Sequence, residues 1–271
     1  MNNKRKTVGL ALGSGGVKGF AHIGVIETLL KNDIPIDFIA GTSIGAWIGA
    51  NYSLFRDLEI LRDMTVGKRK EKLACLYDLG LTGGLIRGNK VRKLLSDWLG
   101  ESCFEDTHIP FKAVATDILT GEPYIFSSGP LVDGVQASMA IPSIFKPIEL
   151  NGKILVDGGI CYPVPVEIVR QMGADIIIAV NLDNYQKNTW FNKKDADSIT
   201  KTSLRSIDII RHYLAQENSR GADIVIEPIF KESEVTIWKK YFLEGKGEDI
   251  VEIGRIETKA IIKKIKKSIT N

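Results

Sequence analysis

Two short apolar runs, each ending in a glycine-rich turn and each followed by helical spacing, constrain this chain most. The first run extends from Val8 to Leu12, stops at a cluster of glycines and leads into a helical pattern from Gly19 to Leu30. The second extends from Asp37 to Ala40, stops at Gly41-Thr42-Ser43-Ile44-Gly45 and leads into a predicted helix from Ala46 to Phe55. Strands that alternate with helices in this way predict a parallel sheet covered by helices.

The same alternation continues along the chain, and no linker-like change of composition divides it. Residues 57–100 read as mostly helical around a loop at 80–84, and residues 184–200 read as a polar loop. The run from Ile176 to Val180 is wholly apolar, as in buried parallel strands. Further strands are predicted at Phe111 to Thr116, Pro123 to Phe126, Lys153 to Val156 and Ile224 to Glu227, and further helices at Val132 to Ala140, Val164 to Met172 and Ser203 to Asn218.

Composition excludes several classes of protein. The 271 residues, 44% of them hydrophobic, are enough for a sizeable core, and a net charge of +3 is too small to indicate nucleic acid as a partner. The three cysteines form no CxxC pair, so we expect neither a disulfide framework nor a zinc site. No secretory signal and no apolar run of about 18 residues is found, so the sequence predicts a cytoplasmic protein.

Ser43 stands at the centre of a G-x-S-x-G motif between a predicted strand and a predicted helix. This is the setting of a nucleophile elbow. Side chains two positions before and after the serine would collide in so tight a turn, and Gly41 and Gly45 remove those collisions. The N-terminus of the following helix favours negative charge that develops there. A glycine-rich turn with an unreactive serine is the competing interpretation.

A serine nucleophile needs a neighbouring base, and the chain offers two kinds. None of the three histidines, His22, His108 and His212, follows a predicted strand, and His212 is kept as the alternative base. Asp157 ends a predicted strand and precedes Gly158-Gly159, which let backbone or substrate come close. An aspartate that merely begins a turn is the other interpretation of this motif.

The glycine loop between the first strand and the first helix, Gly13 to Gly19, can direct backbone N–H groups into one concavity that receives an anion. One interpretation is a dinucleotide fingerprint, although Lys18 occupies the place of its third glycine. The other is an oxyanion hole formed by the amides of Gly15, Gly16 and Val17. The two interpretations stay open on the loop alone.

Taken in this order, the motifs resemble those of the patatin-like phospholipase family, most closely its small bacterial members. That family carries a G-G-G-x-[KR]-G loop, a G-x-S-x-G elbow and a D-G-[GA] acid. Ser14 stands where the family has its first loop glycine, and the resemblance covers residues 7–182. The matching segments are Ser14-Gly15-Gly16-Val17-Lys18-Gly19, Gly41-Thr42-Ser43-Ile44-Gly45, Asp157-Gly158-Gly159 and, for the family's A-S-x-A-x-P-x-x-F, residues 137–145.

The resemblance implies a three-layer α/β/α fold with a mainly parallel central sheet. It also implies hydrolysis of acyl esters in lipids, with no metal and no cofactor. Ser43 would attack the ester carbonyl, Asp157 would accept its proton, and the Gly15–Val17 amides would hold the oxyanion. A dinucleotide-binding or regulatory protein without hydrolase turnover is the alternative. The positions that support the three motifs are Lys18, Gly19, Gly41, Gly45, Gly158 and Gly159.

Residues 183–271 are predicted to continue the same α/β domain and to end in a basic amphipathic helix. Such a helix can lie on an anionic membrane, and packing on its own domain with a solvated lysine face is the favoured alternative. A lipid or acyl ester is therefore the predicted partner, with peripheral membrane contact left open. Five aromatic side chains are candidates for either a lipid-facing rim or ordinary core packing: Trp190, Phe191, Trp238, Tyr241 and Phe242.

Overall fold

The computed structural model describes residues 5–75, 78, 86–184 and 190–270, so the loop predicted at 80–84 lies outside the described residues. Within them, eight strands form one sheet and ten α-helices surround it. The strands are β1 (Val8–Leu12), β2 (Phe38–Thr42), β3 (Phe111–Asp117), β4 (Pro123–Phe126), β5 (Ile148–Leu150), β6 (Lys153–Asp157), β7 (Ile176–Val180) and β8 (Ile224–Ile226). The helices are α1 (Ala21–Leu30), α2 (Ile44–Phe55), α3 (Leu58–Thr65), α4 (Arg69–Cys75), α5 (Asn89–Leu99), α6 (Leu131–Ser138), α7 (Val166–Gln171), α8 (Ile199–Ser219), α9 (Glu234–Lys239) and α10 (Gly247–Thr270).

The sheet is mainly parallel, as the sequence predicts. Its order is β5-β6-β3-β2-β1-β7-β8, and β4 pairs with β3 off this path. The strands from β3 to β8 along this order run parallel to one another, whereas β4 and β6 run antiparallel to β3 and β5 runs antiparallel to β6. The antiparallel pairings therefore all lie at the side of the sheet that begins with β3 and includes β4, β5 and β6.

Both faces of the sheet are buried, which gives the three layers. Successive strand residues point to opposite faces, so Leu10 and Ile178 belong to one apolar cluster while Ala11 and Ala179 belong to another. The first cluster is completed by residues of α1, α2 and α6, and the second by residues of α7 and α8. The predicted α/β/α fold class is therefore confirmed.

Some short elements of the described chain were not predicted from sequence. Strand β5 has three residues with the charged Glu149 at its centre, so it lacks the continuous apolar run that marks the equally short β8. Helix α9 and the π-helical turn Lys240–Glu244 that follows it are likewise short. Helix α8 begins at Ile199 rather than at Ser203, because the Ser198 hydroxyl accepts a hydrogen bond from the Lys201 amide and caps the helix inside the polar segment.

Helix α10 packs lengthwise on α1 through two glycines. A Cβ placed on Gly24 would meet the backbone of Val251 and Arg255, and a Cβ placed on Gly254 would meet the Ala21 carbonyl. Val251 is fully buried, whereas five lysines near the end of the helix are exposed. The helix thus packs on its own domain with a solvated lysine face, Lys259, Lys263, Lys264, Lys266 and Lys267.

The five aromatic side chains considered for a lipid-facing rim do not form a single exposed surface. Tyr241 is buried and its hydroxyl donates to the Val66 carbonyl at 3.2 Å, so it is a core residue. Trp238 and Phe242 are partly buried and pack against the same core. Trp190 and Phe191 contact each other edge to face, with both rings partly buried.

A buried carboxylate also ties α10 to the rest of the molecule. Glu27 on α1 accepts from Arg62 Nε at 2.5 Å and from Arg255 Nε at 2.7 Å. Arg255 also donates to Glu248 at 3.0 Å. Burial by itself would raise the pKa of Glu27, but the two guanidinium groups outweigh it and hold the pKa below its usual value. The cluster therefore keeps Glu27 ionised and joins α1, α3 and α10.

We expect Glu27→Ala to lower the free energy of unfolding by about 3–5 kcal/mol, because it leaves two partly buried guanidinium groups without their shared partner. Glu252→Ala is the matched control, since Glu252 meets Arg255 at the surface at 2.6 Å and such pairs contribute roughly 0–1 kcal/mol. Urea unfolding at neutral pH measures the free energy of unfolding of both variants and of wild type. Equal losses in the two variants would contradict the role given to Glu27.

Candidate active site

The turn after β2 holds Ser43 in a strained conformation at the start of α2. Ser43 has φ 56° and ψ −122°, a region that a residue with a side chain adopts at a cost of about 1–3 kcal/mol. The turn leaves no room for side chains around it. A Cβ on Gly41 would meet the Gly45 carbonyl, and a Cβ on Gly45 would meet the carbonyls of Leu12 and Gly13. Both glycines are therefore required by close backbone contacts.

Strand register places Ser43 and Asp157 on either side of β3. Thr42 is level with Val114 of β3, and Asp157 is level with the next residue, Ala115. Two strand spacings separate their backbones by about 10 Å, a gap that two side chains can close. Ser43 Oγ donates to Asp157 Oδ2 at 2.5 Å. The two side chains singled out by the sequence are therefore in direct contact.

Backbone and hydroxyl contacts fix both members of this pair. The Ser43 amide donates to Ser138 Oγ at 2.8 Å, and that hydroxyl donates to the Val114 carbonyl at 2.6 Å. Asp157 Oδ1 accepts from the Gly159 amide at 2.7 Å. Sequence reasoning noted the segment that contains Ser138 but assigned it no role, because its contact with Ser43 joins residues far apart in the chain.

Burial governs the charge of Asp157. The side chain is buried, and this raises its pKa to about 6 from the ordinary 3.8. Hydrogen bonds from Ser43 and from the Gly159 amide act in the opposite direction, as does the charge of Arg211, whereas Glu234 raises the pKa further. Asp157 is therefore mostly ionised at neutral pH, yet it binds a proton far more readily than an exposed aspartate does.

The glycine loop lies against both residues. Gly13 N–H donates to the Val180 carbonyl at 3.1 Å, which continues the β1–β7 pairing into the loop. A Cβ on Gly19 would overlap the Ile44 side chain, next to Ser43. A Cβ on Gly159 would lie 2.9 Å from Ser14 Oγ and 3.0 Å from Asp157 Oδ1. The loop, the elbow and the acid therefore meet at one place.

Within the loop, Gly16 has φ 54°, which glycine adopts without strain. A 3₁₀ turn, Gly16–Phe20, then leads into α1. Lys18 does not point to solvent, because its Nζ donates to the Leu182 carbonyl at 3.2 Å and lies 3.5 Å from Asp183 Oδ1. Asp183 was not predicted as a site residue. Its signal in the sequence is a carboxylate three residues after the apolar run of β7, whereas Asp157 is the last residue of its own strand.

The histidines occupy structural positions. His22 is fully buried, its Nε2 bonds to the Gly13 carbonyl at 2.8 Å, and burial lowers its pKa to about 4. His212 is also fully buried, and its Nδ1 bonds to the Asp183 carbonyl at 2.9 Å. The amide of His108 donates to the Ser53 carbonyl at 2.8 Å. The side chain that contacts Ser43 Oγ is the carboxylate.

Two other kinds of site were sought in the described residues. They contain no group of three or more His, Cys, Asp or Glu side chains arranged to hold a metal ion. A dinucleotide fingerprint needs an acidic residue at the end of the second strand, and there β2 ends in Thr42 followed by Ser43. Among the helices in the described part of the chain, none is both long and apolar enough to cross a bilayer.

Several known proteins are similar to this chain in sequence. An uncharacterised NTE family protein of Mycobacterium bovis is 38% identical over 177 residues, which is 65% of this chain and 49% of that protein. The lysophospholipase nte1 of Aspergillus fumigatus is 34% identical over 192 residues, 68% of this chain and 12% of that protein. This chain thus matches about half the length of the mycobacterial relative and a small part of the fungal one.

The likeness extends to a solved structure and to a family model. The crystal structure of VipD from Legionella pneumophila aligns with a TM-score of 0.57 at 13% identity, covering 92% of this chain and 67% of that one, which shows a shared fold. The family model described as patatin-like phospholipase matches residues 10–170, a range that contains Ser43, Asp157 and the glycine loop. The chain therefore belongs to the patatin-like phospholipase family.

Proposed function

We propose that this chain is a serine acyl hydrolase that cleaves carboxylic ester bonds of lipids. The observation that supports this most is the 2.5 Å contact between Ser43 Oγ and Asp157 Oδ2, in a strained turn at a helix N-terminus. The family and the name of the fungal relative, a lysophospholipase, favour a lipid ester as the substrate.

In the proposed reaction, Ser43 Oγ attacks the ester carbonyl carbon while Asp157 Oδ2 accepts the hydroxyl proton. The carbonyl oxygen becomes an oxyanion, which the amides of Gly15, Gly16 and Val17 stabilise. The proton then passes to the departing alcohol and leaves an acyl-enzyme on Ser43. Asp157 next takes a proton from water, which attacks the acyl carbon. The bond between that carbon and Ser43 Oγ then breaks, the proton returns from Asp157 to Ser43 Oγ, and the fatty acid is released.

The environment of Asp157 makes a carboxylate a better base than it is in water. A base with a pKa near 4 holds a proton poorly at neutral pH, whereas burial raises the pKa of Asp157 to about 6. The 2.5 Å contact also removes the cost of bringing the base to the hydroxyl. Together these effects account for a dyad that works without histidine.

We place the acyl chain at a small pocket next to the segment that contacts the dyad. Its wall includes Met139 and Ala140, which directly follow Ser138, and Ser138 Oγ accepts from the Ser43 amide. The Ala140 carbonyl also accepts from the Asp157 amide at 2.9 Å. The pocket is therefore formed by the same segment that holds both members of the dyad. Five of the eight residues that line it have apolar side chains, and the full lining is Gly88, Val91, Gln136, Met139, Ala140, Phe145, Lys146 and Ile148.

Contact with an anionic membrane, if the protein uses α10 for it, must involve the exposed lysines. Most of the apolar side of α10 packs on its own domain, with Val251 and Ile265 fully buried, and Ile256 is the large apolar residue of this helix that stays exposed. Lysines near a membrane surface each contribute about 1 kcal/mol at most, and salt weakens the attraction. Such contact would be peripheral and reversible.

We expect a fluorophosphonate probe to label the wild-type protein at Ser43 and to leave Ser43→Ala unlabelled. Asp157→Asn should label at least about 100-fold more slowly, because the hydroxyl loses its base while the turn keeps its shape. Ser219→Ala is the matched control, since Ser219 is a buried serine of α8 bonded to the Ala215 carbonyl. Gel fluorescence with peptide mapping measures the labelling.

Labelling of Ser43→Ala at the wild-type rate would exclude Ser43 as the nucleophile. Absence of labelling in wild type, with a folded protein, would instead favour a binding or regulatory role for the same site.

A larger side chain in the apolar pocket should shorten the preferred acyl chain. For Val91→Phe we expect kcat/KM on p-nitrophenyl palmitate to fall by about 10-fold relative to kcat/KM on p-nitrophenyl butyrate. The larger ring would displace roughly two methylene groups of the long acyl chain from the pocket. Lys93→Phe, on the exposed side of the same helix, is the control and should leave the ratio unchanged. An unchanged ratio in Val91→Phe would place the acyl chain elsewhere.

A further inference from the structure

A buried ion cluster lies behind the glycine loop and takes no part in the proton transfers described above. Its centre is the carboxylate of Asp183, which is buried although it belongs to the loop after β7. Ser14 Oγ donates to Asp183 Oδ2 at 3.4 Å, and Lys18 Nζ lies 3.5 Å from Asp183 Oδ1. Ser14 and Lys18 stand on either side of Gly15–Val17, the stretch whose amides are proposed to hold the oxyanion.

The backbone of Asp183 is itself fixed. Its amide donates to Asn181 Oδ1 at 2.9 Å, and its carbonyl accepts from His212 Nδ1 at 2.9 Å. The preceding residue, Leu182, packs against the loop, since a Cβ on Gly15 would lie 2.7 Å from Leu182 Cδ1. The carboxylate therefore has a defined position relative to the loop.

Arg211 on α8 compensates the buried charge. Its Nη2 is 3.0 Å from Asp183 Oδ1 and 3.1 Å from Oδ2, and 3.4 Å from Ser14 Oγ. Burial would raise the pKa of Asp183, but Arg211 and Lys18 outweigh it and hold the pKa below its usual value. The cluster thus contains an ionised carboxylate between two cations.

The same arginine reaches a second contact with the loop. Arg211 Nη1 lies 3.7 Å from Glu234 Oε2 at the start of α9. The other oxygen of that carboxylate, Oε1, lies 2.5 Å from the position of a Cβ on Gly16. Arg211 therefore contacts Ser14 directly. It is also linked to Lys18 through their shared partner Asp183, and to the surroundings of Gly16 through Glu234.

We infer that Asp183 and Arg211 are positioning residues that fix the direction of the Gly15–Val17 amides. The inference rests on the proposed function. An oxyanion hole stabilises the developing charge only where its N–H groups already point to it, so a loop held at both ends keeps more of that stabilisation. Ser14 supplies a hydroxyl contact to the cluster at the position where the family motif has glycine.

The kinetic test compares Arg211→Gln with Arg220→Gln, a control directly after the C-terminus of the same helix, where the arginine pairs with Glu217 at the surface. The rate of p-nitrophenyl butyrate hydrolysis is divided by the number of active sites titrated with a fluorophosphonate. A smaller fraction of folded protein in a variant then does not lower its apparent kcat. We expect kcat to fall about 10- to 100-fold in Arg211→Gln, with KM changing much less. Arg211→Lys should recover part of the loss, because it restores the cation but not the forked donor.

Amide hydrogen exchange of the peptide that covers residues 13–20 is measured on the same variants. Exchange should rise in Arg211→Gln and in Asp183→Asn and stay at the wild-type rate in Arg220→Gln. If Arg211→Gln does not fold, Arg211→Lys and Asp183→Asn provide both measurements.

The two readouts separate the two proposals. Normal kcat per active site together with unchanged exchange in the Arg211 and Asp183 variants would overturn the positioning role while leaving the hydrolase intact. If the wild-type protein turns over no more ester than Ser43→Ala, while exchange is still faster in the Arg211 and Asp183 variants than in wild type, the positioning role is supported and the proposed reaction is overturned.

Discussion

The contact between a buried carboxylate and a serine hydroxyl is the interaction on which the rest of this site depends. Asp157 and Ser43 flank β3, and the register of three strands brings them level with each other. Around them, Ser138 and the Gly159 amide satisfy the remaining polar groups. A buried carboxylate is costly unless it is hydrogen-bonded, so these contacts are what permit a carboxylate with a raised pKa at this position.

The second constraint is the position of the glycine loop, and it comes from parts of the chain that share no motif with it. Residues after β7 and on α8 contact Ser14 and Lys18, while α10 packs on α1, the helix that begins where the loop ends. The C-terminal third therefore supports the site from behind, although the family model matches residues 10–170.

Local signals in the sequence were sufficient for much of this fold. The apolar runs of β1, β2 and β7 and the glycines at positions 41 and 45 predicted a parallel sheet and a tight turn, because periodicity and steric exclusion act over a few residues. Asp157 reaches the site in a different way from the one predicted, since β6 runs antiparallel to β3 and its register, not a parallel strand end, places the residue there. Asp183 and Arg211 could not be predicted from the sequence, because both contact Ser14 of the glycine loop from distant parts of the chain. Asp183 lies 169 residues after Ser14, and Arg211 lies 197 residues after it.

The state of the Asp157 carboxyl is tested most directly by the pH dependence of unfolding in wild type and Asp157→Asn. An unfolded aspartate loses its proton near pH 3.8 and the folded one near 6, so burial of the ionised group costs wild type stability as pH rises through this interval. We predict that the stability of Asp157→Asn relative to wild type increases between pH 4 and 7 by on the order of 3 kcal/mol and is constant above. A difference that does not change with pH would contradict a buried base at this position.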